Sequence, residues 1–148
     1  MAVKFKDLSP EDQQDYRDRM RHSAAHVLAE AVTKLFPESQ LTIGPPIQDG
    51  FYYDFAVPEP FTPDDLKKIE LEMRDSIRAN TEFVEREVSR DEALKLVSGN
   101  PYKVEILEGI PADEGVTFCS HAGGTFEDLC RGGHMERTGD IRAYRLLS

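Results

Sequence analysis

The sequence predicts an α+β fold: a two-layer domain with a largely antiparallel sheet and one long helix carrying an HxxxH pair. Three observations predict it. Capping signals open amphipathic helical stretches, β-like runs outnumber those helices, and the connections are of hairpin length. The 148 residues are 39% hydrophobic and 31% charged, which suits a single domain over 1–148, with 1–9 a flexible lead-in. There are no repeats and no low-complexity tract.

The elements follow in order. Ser9-Pro10-Glu11-Asp12 offers a Ser N-cap, a proline at the first helical position and acids facing the positive end of the dipole. Thr62-Pro63-Asp64-Asp65 repeats that device, and Ser89-Arg90-Asp91-Glu92 reads as a capping box. Helices are therefore expected over about 10–36, 63–79 and 90–98. The second carries Leu66, Ile69, Met73 and Ile77 on one face, ordinary core spacing. Strands are expected at Leu41–Gly44, Gly50–Phe55, Thr81–Val88, Tyr102–Leu107, Val116–Cys119, Thr125–Cys130 and Ile141–Leu147. In Gly50–Phe55, alternation places Phe51, Tyr53 and Phe55 on one side; in Tyr102–Leu107 it separates Lys103 from Tyr102, Val104 and Ile106.

Composition narrows the function classes. No apolar run reaches the roughly 18 residues of a transmembrane helix, and the N-terminus lacks the apolar core of a secretion signal. A cytoplasmic protein without membrane contact is expected. Its two cysteines then suit metal binding or chemistry better than a disulfide. The net charge of −10 argues against a general nucleic-acid binder, because backbone affinity needs clustered Lys and Arg, and leaves contact at one end or through a local basic patch. Arg131, Arg137, Arg142 and Arg145 form a modest basic patch whose plainest reading is solvated surface.

His22 and His26 stand four apart on the first helix, so their side chains are neighbours. Met20, Ala24, Leu28, Ala31, Val32 and Leu35 gather on one side of that helix, leaving the histidines on the other with Ala29 and Thr33. Burial of the pair is thus disfavoured. A second cluster, Asp128-Leu129-Cys130-Arg131-Gly132-Gly133-His134, again spaces two ligating residues four apart, around a flexible turn. One Cys and three His arriving as two pairs make a tetrahedral zinc set. Three readings compete: a structural zinc, a catalytic zinc activating water, or a metal-free hydrolytic pocket with His as proton shuttle and Lys103 or Asp128 as charge partner. A Cys130 nucleophile is disfavoured, since nothing marks its thiol as activated. Gly123-Gly124 reads as a turn, neither glycine pair fits a phosphate-loop motif, and Cys119 reads as an inert strand residue.

Taken in order, Arg21-His22-Ser23-Ala24-Ala25-His26-Val27-Leu28, Ile43-Gly44-Pro45-Pro46, Gly50-Phe51-Tyr52-Tyr53-Asp54, Pro101-Tyr102-Lys103-Val104 and Asp128–His134 resemble the editing domain of bacterial threonyl-tRNA synthetases. The HxxxH and CxxxH pairs are shared with alanyl-type editing domains. The likeness runs from about residue 15 to the end. It implies hydrolysis of serine wrongly esterified to the CCA end of threonine tRNA. It places working residues at His22, His26, Lys103, Cys130 and His134, with Asp128, Tyr53 and Gly44 binding substrate. On this reading, Lys103 and His22 hold the attacking water and the terminal ribose, and His26, Cys130 and His134 shape the site and hold water. Asp128 reads the seryl ammonium, while Tyr53 and Gly44 limit pocket size. The threonyl type implies no required metal, whereas the alanyl type implies Zn2+ on His22, His26, Cys130 and His134.

Two alternatives stay open: a zinc-binding alanyl-type domain acting on seryl or glycyl esters of alanine tRNA, and a non-catalytic zinc-stabilised module that binds tRNA ends. The expected partners are threonine tRNA carrying serine and the rest of a threonyl-tRNA synthetase or a separate synthetase; the oligomeric state is not readable. The chain departs from the family in three places. Gly133 stands where proline is usual, which predicts a looser turn; the stretch 119–125 is longer; and Cys119 replaces an expected tyrosine.

Overall fold

A computed structural model describes residues 5–42, 46–47 (backbone alone), 50–130, 132–142 and 144–146. Gly44 of the expected pocket wall and Arg131 of the basic patch lie outside the described residues. The fold is α+β, with short antiparallel pairings and, among the described residues, four α-helices.

The first helix, α1, spans Pro10–Leu35, and Ser9 Oγ accepts from the Asp12 amide at 3.1 Å. Residues 5–9 fold back on it: Phe5–Asp7 form one 3-10 turn, and the Gln13 side-chain amide donates to the Phe5 carbonyl at 3.2 Å. Every residue from Ser23 to Val32 is buried. The expected split into a core face and an outward histidine face therefore fails; His26 and Ala29 are enclosed, while Leu35 is exposed. The physical reason is side-chain size. Ala24, Ala25, Ala29 and Ala31 let neighbours approach from every direction, and a helix enclosed all round has no solvent face for periodicity to mark.

Two two-residue ribbons follow. Gln40–Leu41 (β1) pairs with Phe55–Ala56 (β4), and Pro46–Ile47 (β2) pairs with Gly50–Phe51 (β3). The single strand expected over Gly50–Phe55 is thus broken, because its two ends pair with different partners. Phe51, Tyr53 and Phe55 nonetheless all pack on one core cluster with α1.

Thr62 and Asp65 close a reciprocal capping box at the start of α2, Pro63–Ala79. Its Ile69 and Met73 are fully buried in the same cluster, with Leu66 and Ile77 beside them. Asn80 ends the helix in the left-handed region, φ 52°.

Val84–Val88 (β5), Val116–His121 (β6) and Phe126–Leu129 (β7) form one antiparallel sheet in the order β5-β6-β7. Register pairs Cys119 with Asp128 and His121 with Phe126. Period-two alternation then divides the sheet. Val88, Val116 and Phe118 pack with Ala93 and Val97 of α3 (Arg90–Val97), whereas Phe126 joins the α1 cluster.

Two further expected strands differ. Tyr102–Leu107 lies inside a helix, α4 (Pro101–Glu108). Asn100 caps it, its side-chain oxygen accepting from the Tyr102 and Lys103 amides at 3.1 and 3.3 Å, and Pro101 occupies the first turn. The run reads equally well at helical spacing: Lys103 and Leu107, four apart, are its buried residues. Among the described residues of Ile141–Leu147 there is no strand; Tyr144 instead donates to the Glu70 carbonyl at 2.5 Å, laying this segment on α2.

Candidate active site

The turn-by-turn order of α1 sets His22 and His26 side by side, with ring centroids 4.9 Å apart. The segment leaving β7 returns His134 to them. Its ring stacks on His22 at 4.0 Å and meets His26 at 4.3 Å. Ser23 fastens this return, accepting from the Met135 amide at 2.9 Å and sharing a proton with His134 Nδ1 at 3.0 Å. Phe83 stacks on the other face of His134 at 4.9 Å.

Burial depresses the His134 imidazole to about 3, with repulsion from His22 and His121 adding to it. Burial also holds His26 well below the ordinary histidine range, with the neighbouring imidazoles and Lys103 acting in the same direction. His22 is lowered by burial too, partly offset by the Gly133 and Gly132 backbone and by the charges of Asp128 and Glu85. Three neutral imidazoles therefore face one another at neutral pH, able to accept hydrogen bonds or to ligate a metal.

A second cluster sits beside them. Lys103 on α4, Tyr53 between β3 and β4, and Asp128 on β7 are all buried. Lys103 Nζ lies 3.0 Å from Asp128 Oδ1 and 2.9 Å from the Tyr53 hydroxyl, and that hydroxyl donates to Asp128 Oδ2 at 2.5 Å. The Leu129 amide donates to Asp128 Oδ1 at 2.9 Å. Burial and the adjacent carboxylate both push the Tyr53 hydroxyl up, so it stays a donor. Lys103 thus belongs to a helix, not to the expected middle strand, yet reaches the same carboxylate.

Both clusters open on one cavity of about 960 Å3, lined by His22, His26, Tyr53, Lys103, Asp128 and Cys130 among others. Of the catalytic and substrate-binding candidates, these six share that cavity, Gly132 and Gly133 of the turn line it too, and His134 sits behind His22 and His26. Ser23, Phe83 and Glu85 escaped the sequence reading. Ser23 had one signal, its place beside His22; for Phe83 and Glu85 only the fold brings them near.

The turn 132–133 has φ +89° at Gly132 and +85° at Gly133, conformations that glycine tolerates. The Gly133 amide donates to Glu85 Oε1 at 3.1 Å, so the turn is tied to β5 rather than loose.

The cysteines correct an expectation. Cys119 and Cys130 are disulfide-bonded, and Cys119 is not an inert strand residue. The sheet register explains it: Cys119 faces Asp128, two residues before Cys130, which leaves the Cα atoms 6.1 Å apart, within disulfide range.

One ligating atom from each of His22, His26, Cys130 and His134 lies within 4.8 Å of all the others. Three imidazoles and a thiolate match zinc, and His26 Nδ1 is buried without a hydrogen-bond partner among the described residues. The set fits zinc when Cys130 is a free thiolate, because a sulfur in a disulfide is no longer an anionic ligand.

A fourth histidine lies deeper. His121 on β6 meets Glu30 of α1 at 3.2 Å, and Glu30 also accepts from Ser76 of α2, all three buried. Burial alone would raise the Glu30 carboxyl, but His121, Ser76 and Lys34 together hold it below its ordinary value. This polar junction ties α1, α2 and β6 together behind the site.

No helix among the described residues is long and apolar enough to cross a membrane. Residues 116–148 match the family described as the threonyl and alanyl tRNA synthetase second additional domain. A threonine–tRNA ligase of Coxiella burnetii is 52% identical over 129 residues, covering 86% of this chain and 20% of that protein. One from Dehalococcoides mccartyi is 50% identical over 129 residues, covering 87% and 22%. One from Paraburkholderia phymatum is 49% identical over 135 residues, covering 90% and 21%. The chain spans about a fifth of the length of these curated relatives. Over its C-terminal part the chain is thus similar to the threonyl and alanyl tRNA synthetase second additional domain, and over most of its length to one part of threonine–tRNA ligases.

Proposed function

We propose that this chain is a single editing domain that hydrolyses the ester of serine on threonine tRNA. The observation that carries this reading is the buried Lys103–Tyr53–Asp128 cluster opening on the same cavity as His22 and His26. Asp128 already holds an ammonium, that of Lys103, and both side chains are buried. The α-ammonium of an aminoacyl ester is the same chemical group. On this reading the substrate takes over part of the Asp128 carboxylate, and Lys103 Nζ turns towards the ester and the terminal ribose.

Water held by Lys103 and neutral His22 attacks the ester carbonyl. A carbon–oxygen bond forms to water, the bond to the ribose oxygen breaks, and the proton released by water ends on the departing hydroxyl. Lys103 stabilises the negative charge that develops on the carbonyl oxygen. His26, Cys130 and His134 shape the floor and hold water, and Tyr53 limits the space for the side chain. Such a second sieve is needed because one missing methyl supplies only about 1–3 kcal/mol of discrimination in a synthetic site. The rest of a threonyl-tRNA synthetase, or a separate one, would supply the mischarged tRNA. The test is deacylation of tRNA charged separately with serine, threonine, alanine and glycine. Fastest loss of serine from threonine tRNA is expected; faster loss of seryl or glycyl esters from alanine tRNA, or no cleavage, refutes the reading.

One observation favours a second reading: the His22, His26, Cys130 and His134 set. Those four would hold zinc, which when bound supplies a Lewis acid to the site. We expect activity without it. Protein reduced and dialysed against chelator should keep its deacylation rate at far below one zinc per chain by elemental analysis. Activity that vanishes with the chelator and returns with zinc would overturn this.

A further inference from the structure

Away from the active site, α2 and the C-terminal segment enclose a second concavity of about 650 Å3. Lys67, Arg74 and Arg78 recur at intervals of seven and four along α2 and line it. At about 1.5 Å per residue they form one stripe, roughly 10 and 6 Å apart along the helix axis. Arg142 joins them from the segment beyond Thr138–Asp140. That segment is pinned in place: Tyr144 donates to the Glu70 carbonyl, and the Leu146 amide donates to the Glu70 carboxylate at 2.6 Å. Glu70, the acid in the lining, is therefore already engaged.

Several cations elsewhere in the chain are engaged. Arg19, Lys34, Arg86, Lys103 and Arg137 each hold a carboxylate. Among the described residues, Lys67, Arg74, Arg78 and Arg142 hold no carboxylate and are all exposed. Four uncommitted cations in one concavity of a chain with net charge −10 are complementary to an anion of several charges. The ester cavity is acidic on balance: Asp15, Asp18, Glu105, Glu114 and Asp128 line it with Arg19 and Lys103, and those two cations already hold Asp15 and Asp128. An RNA substrate held at that cavity by its end must draw its backbone affinity from another surface.

We propose that the α2 groove binds the phosphodiester backbone of RNA, with Arg74, Arg78 and Arg142 forking onto phosphate oxygens and Lys67 adding a point charge. The RNA's identity as a mischarged tRNA rests on the editing reading; the groove's affinity for phosphate does not.

The test measures binding of uncharged tRNA across a salt series, by fluorescence anisotropy, for the unaltered chain and for Lys67→Gln/Arg74→Gln/Arg78→Gln/Arg142→Gln. Each lost phosphate contact lowers the log–log salt slope by about 0.7–0.9, so the fourfold variant should lose about 3 and bind at least roughly tenfold more weakly at low salt. Lys95→Gln, which removes a charge on α3, should leave the slope unchanged. Hydrolysis of a short 3′-seryl-adenosine ester should be equal in the fourfold variant and the parent, while KM for seryl-tRNA rises. If the parent cleaves neither ester, the editing reading fails and the binding data still decide the groove. An unchanged salt slope in the fourfold variant overturns the proposal. So does an unchanged slope with lost association to the remainder of a threonine–tRNA ligase, which would make the groove a protein interface.

Discussion

Lys103→Met is expected to lower deacylation of seryl-tRNA by about two orders of magnitude or more and to destabilise the fold by about 3–5 kcal/mol. Both effects come from one place. Lys103 Nζ sits between Asp128 and the Tyr53 hydroxyl, largely buried, and its loss leaves the Asp128 carboxylate buried and without its counter-charge. The two effects separate in the double variant Lys103→Met/Asp128→Leu. Removing both charges leaves no orphan, so most of the lost stability should return in urea unfolding, while hydrolysis stays lost. A double variant as unstable as the single one would mean that the pair contributes through packing. A single variant with near-parental hydrolysis would remove Lys103 from the proposed chemistry.

Acid is expected to unfold this chain steeply, beginning near pH 6.5. His26 and His134 are held neutral in the fold, His134 at about 3, whereas in the unfolded chain they titrate near 6.5. As pH falls below 6.5 the unfolded state takes up protons that the native state refuses, so stability drops with falling pH. Each such histidine contributes about 1.4 kcal/mol per pH unit, and the two together about 3, until the folded values are reached. Above 6.5 both states are neutral at these positions and the slope vanishes. Urea midpoints at pH 7.5, 6.5 and 5.5 measure it, and His134→Phe, which keeps a ring between His22 and Phe83, should remove about half of the slope below 6.5. A flat profile down to pH 5 would show that the imidazoles ionise in place.

The parts of the fold that could be read from sequence are those written in local chemistry. Ser9, Thr62 and Ser89 start helices where expected, because an N-cap is decided within four residues. The Asn100-Pro101 start of α4 is the same kind of signal, overridden in the reading by an alternation of Tyr102, Val104 and Ile106 that fits either period. The site residues came from spacing and resemblance, and the structure brings most of them to one cavity. What spacing could not supply was enclosure. The buried side of α1 depends on neighbours far along the chain, so His26 read as outward-facing when Phe126 and His134 cover it. The Cys119–Cys130 bond was hidden for a related reason: only the register of β6 against β7 makes those two residues neighbours.

That Gly133 runs at φ +85° and gives its amide to Glu85 has an evolutionary corollary. A proline, held near φ −65° and lacking a donor, could not occupy this backbone path, so a chain with glycine here and one with proline must shape the bend in two mutually exclusive ways. Passage from one to the other requires the acidic anchor and the hinge to change together.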